Sequence, residues 1–504
     1  MSGLLSCCCP FLYRRPSAQR SSFQNLNGRK DFKRQSFLQL GHTKSSEAVA
    51  LPAAPSVLET VLRKFKKKDR DEPLEAMSAW MERTADPQVV SREAVVLVLV
   101  GLPARGKSFI SGAVLRHLKL LGVRVRSFNA GDLRRDSGKA GIEANFFSAA
   151  NEAAKQERER LAMLCCERLL AWIRSAPPGT SSIGILDATN TTIARRQKVL
   201  ETCFACALQA EADDKAAPLR VIFLESICGD PVILQDNYQM KLSNDDYKGV
   251  SSPNAALTDF KKRVEAYEDQ YEPLQENELD YLQNKLEAAM PVGSVQIYDG
   301  GQKITCCRTG SSLVASPMIS LLHAMHLTRR QILLAPEFDS QQKGIAAWDY
   351  RQILIREERK ENRTIDVICG TSKHAVKIAQ DLSKVGNRFD KAQRPRCVLN
   401  LRALQGRSEG TCDGSAVAES YGDLVRRMRV EVILLLERLP RSVLVICPGD
   451  DVRRVLYAHF CGCSEKSIAD LYMPESTVLE LARDHKGYSC TEIELNTDSN
   501  VSID

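Results

Sequence analysis

The residues Gly101-Leu102-Pro103-Ala104-Arg105-Gly106-Lys107-Ser108 follow the spacing G-x-x-x-x-G-K-[ST]. Gly101 and Gly106 permit a tight backbone path whose N–H groups can surround phosphate oxygens. Lys107 would reach the β- and γ-phosphates, and Ser108 would offer a hydroxyl to Mg2+. The run Val95–Val100 before the motif is short, apolar and rich in β-branched residues, which suits a strand buried on both faces. The segment from Phe109 onward reads as a helix whose positive N-terminal end would also face the phosphates. The plain alternative is a glycine-containing strand–helix turn that binds nothing. The strand before it and the helix after it favour a nucleoside triphosphate site.

A second stretch, Ile183-Gly184-Ile185-Leu186-Asp187-Ala188-Thr189-Asn190, is an apolar strand that ends in an acid. At the carboxyl end of a neighbouring parallel strand, Asp187 could hold the metal's water shell or accept the proton of an acceptor hydroxyl. Asp and Thr also make good helix caps, so this reading draws its strength from the phosphate loop beside it. Phosphoryl transfer further needs cations around the acceptor. Arg134-Arg135 follow a run ending at Phe128, Arg158 lies in a helical pattern, Arg195-Arg196 come just after Asp187, and Lys241 and Arg263 lie further on. Each alone reads as a surface charge. Their placement after successive strands predicts one anionic pocket beyond the strands' carboxyl ends, and guanidinium forks suit phosphate.

The elements that must carry these residues alternate. Apolar runs at 95–100, 123–128, 183–186 and 220–224 are separated by helical patterns over Asn151–Ile173 and Thr192–Leu208, which predicts βαβ units and a largely parallel sheet. A polar, variable stretch near 275–312 follows, and a second α/β region is expected at 328–495. There, apolar runs recur at 332–335, 365–369 and 443–447, with a long amphipathic helix over Leu424–Leu439. Residues 1–90 mix Ser, Pro and basic runs and read as an extension, and 496–504 as a tail.

Composition bounds the rest. A chain of 504 residues, 43% hydrophobic and 26% charged, is an ordinary globular one with room for two domains. It contains no apolar run of the ~18 residues a membrane-spanning helix needs. Leu4-Leu5 is also too short for a secretory leader. The net charge is +7, yet residues 1–43 alone carry seven Lys/Arg against Asp31, so the remainder is nearly neutral and no nucleic-acid partner is expected. Seventeen cysteines form no framework. Cys203 and Cys206 make an isolated C-x-x-C without a second pair at zinc spacing, and reduced cytoplasmic thiols are expected. Cys7-Cys8-Cys9 beside the basic stretch would suit acylation and peripheral membrane contact, against the plainer reading of a solvated tail.

The pieces GLPARGKS, FNAGDLRR (128–135), NFF (145–147), LDATNTT (186–192), FLESICGDP (223–231) and KRVEAYEDQYEPL (262–274) resemble, in order and spacing, the kinase half of the 6-phosphofructo-2-kinase/fructose-2,6-bisphosphatase family. The resemblance spans about 93–280 and continues more weakly to about 490. It implies a P-loop kinase domain at 91–327 followed by a histidine-phosphatase, phosphoglycerate-mutase-like α/β domain. It also implies ATP and Mg2+ as cofactors and fructose 6-phosphate as the small-molecule substrate, phosphorylated at its 2-hydroxyl. Carried over, Lys107 and Asp187 are catalytic. Residues 101–109 with Asn237 hold the nucleotide, Ser108 and Asp187 serve the metal, and Cys228 lies beside the nucleotide as a further catalytic candidate. Arg134, Arg158, Thr189, Arg195, Lys241, Arg263 and Tyr267 bind the sugar phosphate. The segment from Asn237 to Lys241 is one residue shorter than the family pattern, and that from Tyr247 to Phe260 one longer. Two rivals stand beside this: a P-loop kinase of a polynucleotide or aminoacyl-tRNA substrate, and an ATP-binding regulator without turnover. The arginine set speaks against the first, and the intact Lys107, Ser108 and Asp187 against the second.

The second half departs from its family pattern. Histidine phosphatase chemistry needs an Arg-His-Gly turn at a strand end, further arginines, a second histidine and a proton-donating carboxylate. Pro336-Glu337-Phe338 stand where Arg-His-Gly belongs, Pro448 where the second histidine belongs, His374 for an arginine and Leu401 for the acid. Glu337 would repel the phosphate. The expectation is a folded but inert phosphatase-like domain that serves as a packing, homodimer or regulatory surface.

Overall fold

The computed structural model describes residues 93–138, 144–148, 150–211, 217–242, 245–247, 252–278, 290–310, 312, 314–326, 330–337, 350, 353, 365–384, 398–406, 409–412, 415–483 and 487–495. The N-terminal extension with Cys7–Cys9, the tail 496–504 and Phe338 lie outside them. All the described residues belong to one compact unit.

Strand β1 (Ala94–Val100) is buried along its whole length. It lies between β3 (Ser182–Asp187) and β4 (Leu219–Ile227), parallel to both. β2 (Arg124–Asn129) pairs with β3 on the outside, and β5 (Val292–Tyr298) continues the parallel set beyond β4. β6 (Lys303–Cys307) closes the far edge antiparallel to β5. Alternate residues of β1 feed opposite cores, because strand side chains alternate in direction. Val96 and Val98 pack with Leu169, Cys203 and Phe223 on one face, whereas Val95, Leu97 and Leu99 pack with Ile110, Leu118 and Met318 on the other. The covering helices are α1 (Lys107–Leu120), α2 (Ala130–Asp136), α3 (Glu152–Arg174), α4 (Ile193–Glu211), α5 (Pro231–Leu242), α6 (Pro253–Glu268) and α7 (Ser316–Ala324).

The expectation for 275–312 needs correction: β5 and β6 fall inside it. β5 is mostly buried, but β6 is an edge strand with exposed positions, so the polar residues there reflect a sheet margin and not a linker.

The second sheet has the order β14-β13-β7-β12-β8-β9. Its parallel members are β7 (Gln331–Pro336), β8 (Asp366–Cys369), β9 (Val398–Asn400) and β12 (Val443–Cys447). The hairpin of β13 (Thr477–Arg483) and β14 (Tyr488–Glu494) adds on antiparallel. A small ribbon of β10 (Glu409–Cys412) and β11 (Ser415–Ala418) stands apart from it. Helices α8 (Lys373–Lys384), α9 (Tyr421–Met428), α10 (Leu434–Arg438) and α11 (Asp450–Cys461) complete the region. The single helix expected over Leu424–Leu439 starts at a Ser420–Asp423 capping box and passes through a π-helical turn, Arg429–Ile433, between α9 and α10. No described helix is long and apolar enough to cross a membrane.

The two sheets meet where α1 faces α11 and β14. Leu434 and Tyr488 of the second region pack on the core that contains Phe109 and Leu118. Polar groups are buried there as well. The rings of His117 and His459 meet edge to face at 5.5 Å. Glu437 accepts from His459 Nε2 at 2.9 Å and pairs with Arg330 at 3.5 Å. Burial alone would raise the Glu437 carboxyl, but the hydrogen bond and charge of His459, with Arg330 and Arg116, hold it at about 2. Burial, then the charges of His459 and Arg429, push His117 well below its ordinary 6.5. Both groups bind protons more readily unfolded than folded, so each favours the fold at neutral pH and loses that contribution as pH falls. For His117 the loss begins below 6.5, and for Glu437 below 4.5. Urea denaturation between pH 7.5 and 4 should therefore show stability declining from about pH 6.5 downward. His117→Leu should flatten the decline above pH 5, and Glu437→Gln should cost about 3 kcal/mol at pH 7 by leaving buried cations unpaired.

Candidate active site

The site opens where β1, β2 and β3 end. Gly101 leaves β1 at φ 129°, and a Cβ there would lie 2.6 Å from the carbonyl oxygen of Ser226 at the end of β4, so the loop cannot accept a side chain. Gly106, at φ 90°, caps α1, so the helix's first amides face the same space. Asn190 closes the neighbouring strand end, its Nδ2 donating to Leu99 O at 2.7 Å, while Gly101 N donates to Thr189 O at 2.9 Å. The sequence Asp-Ala-Thr-Asn thus brings Asp187 alongside the phosphate loop by tying β3 to β1.

A cavity of about 730 Å³ occupies this corner, and it brings most of the expected residues together. Pro103, Ala104, Gly106, Lys107, Ser108, Phe109 and Asn237 line one part. Asp187, Thr189, Arg134, Arg158, Arg195, Lys241, Arg263 and Tyr267 line the rest. Gly101 and Leu102 shape the loop without lining the cavity; the Leu102 carbonyl accepts from Lys107 Nζ. The Arg105 side chain pairs with Glu268 at 3.1 Å and does not line the cavity. Arg196 is likewise scaffold, fully buried on Glu278 with bonds at 2.7 and 2.8 Å. Cys228 is buried outside the lining, and its thiol is raised above the ordinary value, mainly by burial.

Three residues that the sequence reading passed over complete the geometry. Asn129 caps α2 through Oδ1, which accepts from Gly131 N at 2.7 Å, and its Nδ2 donates to Asp187 Oδ2 at 2.8 Å. It therefore aims the acid. The N-cap pattern ahead of Ala-Gly-Asp was the available signal. Asp246 faces three guanidinium groups, Arg134 at 2.6 Å, Arg263 at 3.2 Å and Arg135 at 3.5 Å. Glu159 accepts from Arg195. Nothing in the local sequence marks these last two, because their partners come from other helices. The Arg263 guanidinium also stacks 3.8 Å from the Phe147 ring centroid, and Phe147 packs against Tyr267 at 5.8 Å, which gives Phe147 a packing role.

The charges are tuned by burial. Lys107 is lowered to about 7, chiefly by burial and against the attraction of Asp187, with Lys241, Arg105 and Arg263 repelling it. Lys241 is also lowered by burial. Burial raises Asp187, opposed by Lys241, Lys107 and a hydrogen bond from Ser108. This is a water-poor corner with a lysine, a hydroxyl and an acid around a space lined by phosphate-binding groups. Fold and site together define a P-loop phosphotransferase.

Comparison with known proteins agrees. Residues 83–291 match the 6-phosphofructo-2-kinase family. A 6-phosphofructo-2-kinase/fructose-2,6-bisphosphatase of Gallus gallus is 30% identical over 435 residues, covering 80% of this chain and 85% of its own. One of Caenorhabditis elegans is 29% identical, covering 78% and 87%. The 6-phosphofructo-2-kinase 1 of Saccharomyces cerevisiae is 27% identical, covering 81% of this chain and 53% of its own. Among solved structures, Bacillus stearothermophilus YhfR matches at a TM-score of 0.25 with 14% identity, over 34% of this chain and 97% of its own, and adds nothing to the assignment. The chain belongs to the 6-phosphofructo-2-kinase/fructose-2,6-bisphosphatase family. The similarity to the chicken relative is too long to stop at the first sheet, so it takes in the second as well.

Because Lys107 is lowered to about 7, a phosphate-bearing ligand that restores its charge must bring in a proton at alkaline pH. Calorimetry of ATP binding at pH 8.5, in buffers of different ionisation enthalpy, should report uptake approaching one proton. Lys107→Met should abolish that uptake. Affinity should fall by up to about tenfold per pH unit above 7.

Proposed function

We propose that this chain transfers the γ-phosphate of ATP in line to the 2-hydroxyl of fructose 6-phosphate, giving fructose 2,6-bisphosphate. The observation that carries the reading is the single cavity that gathers Lys107, Ser108 and Asp187 with Arg134, Arg158, Arg195 and Arg263. The phosphate loop fits a triphosphate, since its glycine path excludes a Cβ and its amides and Lys107 converge on one space. Ser108 and Asp187 fit Mg2+, which when bound would neutralise charge on the phosphate oxygens. Lys107 draws charge off the transferring group. Asp187, aimed by Asn129 and raised by burial, stands ready to accept the sugar hydroxyl's proton. The arginines, with Thr189, Lys241 and Tyr267, hold the sugar phosphate. Asp246 and Glu159 keep the arginine forks ordered before substrate arrives. Because the transition state is loose, alignment and charge neutralisation supply most of the rate. Cys228, behind the cavity wall, supports packing in this reading.

The kinase half is assigned to 91–327 and the phosphatase-like half to 328–495. In the second, Pro336 ends β7 and Glu337 follows it, Pro448 follows β12, Leu401 follows β9, and His374 lies at the start of α8 after β8. Glu337 N donates to Cys447 O at 2.9 Å and Leu401 N to Cys369 O at 2.9 Å. Glu337 accepts from Ser372 through Oε1, while Oε2 is buried with no hydrogen-bond partner among the described residues. A carboxylate oxygen there repels a phosphate and cannot replace a histidine nucleophile, which supports an inert domain. The described cysteines are free thiols, in keeping with a reducing, cytoplasmic setting.

Incubation of the purified protein with MgATP and fructose 6-phosphate should yield a sugar bisphosphate phosphorylated at the 2-position. Lys107→Met and Asp187→Ala should each lower the rate at least about 100-fold. Full activity in either would overturn the assignment. With fructose 2,6-bisphosphate as substrate, no phosphate should be released and no phosphoenzyme trapped. Turnover that survives Glu337→Ala and His374→Ala would show the second site to be active.

A further inference from the structure

An anion of the protein itself sits among the acceptor-side cations. Asp246 lies in a short 3-10 turn, Asp245–Tyr247, between α5 and α6, and it lines the cavity. Its side chain is 8% exposed. Arg134 Nη2 donates to Oδ1 at 2.7 Å and to Oδ2 at 2.6 Å. Oδ2 also accepts from Arg263 Nη1 at 3.2 Å and from Arg135 Nη1 at 3.5 Å. Three guanidinium groups converging on one acceptor suit a phosphate, which offers three oxygens and close to two charges. A carboxylate offers two oxygens and one charge. Asp246 therefore stands in for the anion that Arg134 and Arg263 are arranged to hold.

Burial would raise the Asp246 carboxyl, yet the hydrogen bond and charge of Arg134, with Arg263 and Arg135, hold it below its ordinary 3.8. At neutral pH it is a full anion. The turn that carries it is tied to α6. Tyr247 donates its hydroxyl to Asp259 at 3.0 Å, and its ring meets Phe260 edge to face at 6.2 Å. Rotation of one side chain is then enough to release the guanidinium groups.

We propose, resting on the kinase reading above, that Asp246 is a positioning residue that competes with substrate: its carboxylate holds Arg134 and Arg263 until the phosphate of fructose 6-phosphate displaces it, and takes them back as product leaves. The incoming phosphate must break these contacts before its own count, so the exchange weakens apparent affinity for every phosphate-bearing ligand of this subsite. It does so for product as well as substrate, and that favours release. Between turnovers the buried guanidinium groups are never left without an anion.

The test uses the full-length protein with Asp246→Asn, Asp246→Ala and Asp246→Glu, each checked for an unchanged melting profile. Asp246→Asn and Asp246→Ala should lower KM for fructose 6-phosphate about tenfold, the scale of a charge-assisted contact. The inhibition constants of inorganic phosphate and of fructose 2,6-bisphosphate against fructose 6-phosphate should fall by a similar factor. KM for ATP should stay within twofold. Asp246→Glu, which keeps the charge, should recover most of the original KM. A residue that only braced the arginines would give the opposite sign, so a KM that rises or stays unchanged, or Asp246→Glu behaving like Asp246→Asn, overturns the assignment. A crystal structure of the unsubstituted protein with fructose 6-phosphate decides without any variant: the sugar's phosphate should sit on Arg134 with the Asp246 carboxylate off it, and a carboxylate still bonded to Arg134 through both oxygens refutes the exchange. If the unsubstituted protein makes no sugar bisphosphate, the kinase reading fails, and calorimetry of fructose 6-phosphate binding across the same variants still decides the role of Asp246.

Discussion

Lys107, Lys241, Arg134, Arg158, Arg195 and Arg263 are among the cations that face one cavity, and their mutual repulsion is the constraint to which the surrounding structure answers. Crowding positive charge into a half-buried corner is costly unless anions share it. The protein supplies them from several elements. Asp246 meets three guanidinium groups, Glu159 takes Arg195, and Asp187 offsets Lys107 and Lys241. Burial, more than repulsion, lowers Lys107 and Lys241, and the attraction of Asp187 opposes it. The cavity is a site that polyanionic substrates would relieve, and binding and charge neutralisation are the same event.

The constraint also explains the scaffold. The arginines cannot be placed by one helix; they come from α2, α3, α4 and α6, which the parallel sheet delivers to one end. Parallel strands need crossovers, so each strand end sends the next helix away from the same rim. Residues that look equivalent in sequence then divide by helix face. Arg134 and Arg195 point inward, whereas Arg105 and Arg196 brace the frame against Glu268 and Glu278.

The second region carries Pro336 and Glu337 at the end of β7 and Pro448 after β12. β7, β12 and β8 retain buried aliphatic cores, which tolerate a changed surface turn. What holds the region to the first is a junction that is apolar at Tyr488, Phe109 and Leu434 and ionic at Glu437, His459 and Arg330.

Local signals carried far. The phosphate loop, the strand ending in Asp187 and the strand–helix alternation were legible because each depends on spacing along a few residues and on burial of a β-branched run. The pair Pro336-Glu337 was legible for the same reason, since side-chain identity is read directly from the sequence. The strands at 292–307 were obscured because an edge strand is half polar and reads like a loop. Asp246 and Glu159 were beyond reach altogether: their partners lie far off in sequence, and only the packed sheets bring them together. The sequence by itself determined which chemical groups are present and at what spacing along each element. The tertiary structure decided which arginines face the cavity, which carboxylates accompany them and which strand of the second sheet reaches the first, because charge pairing across space depends on distance and burial that no local pattern encodes.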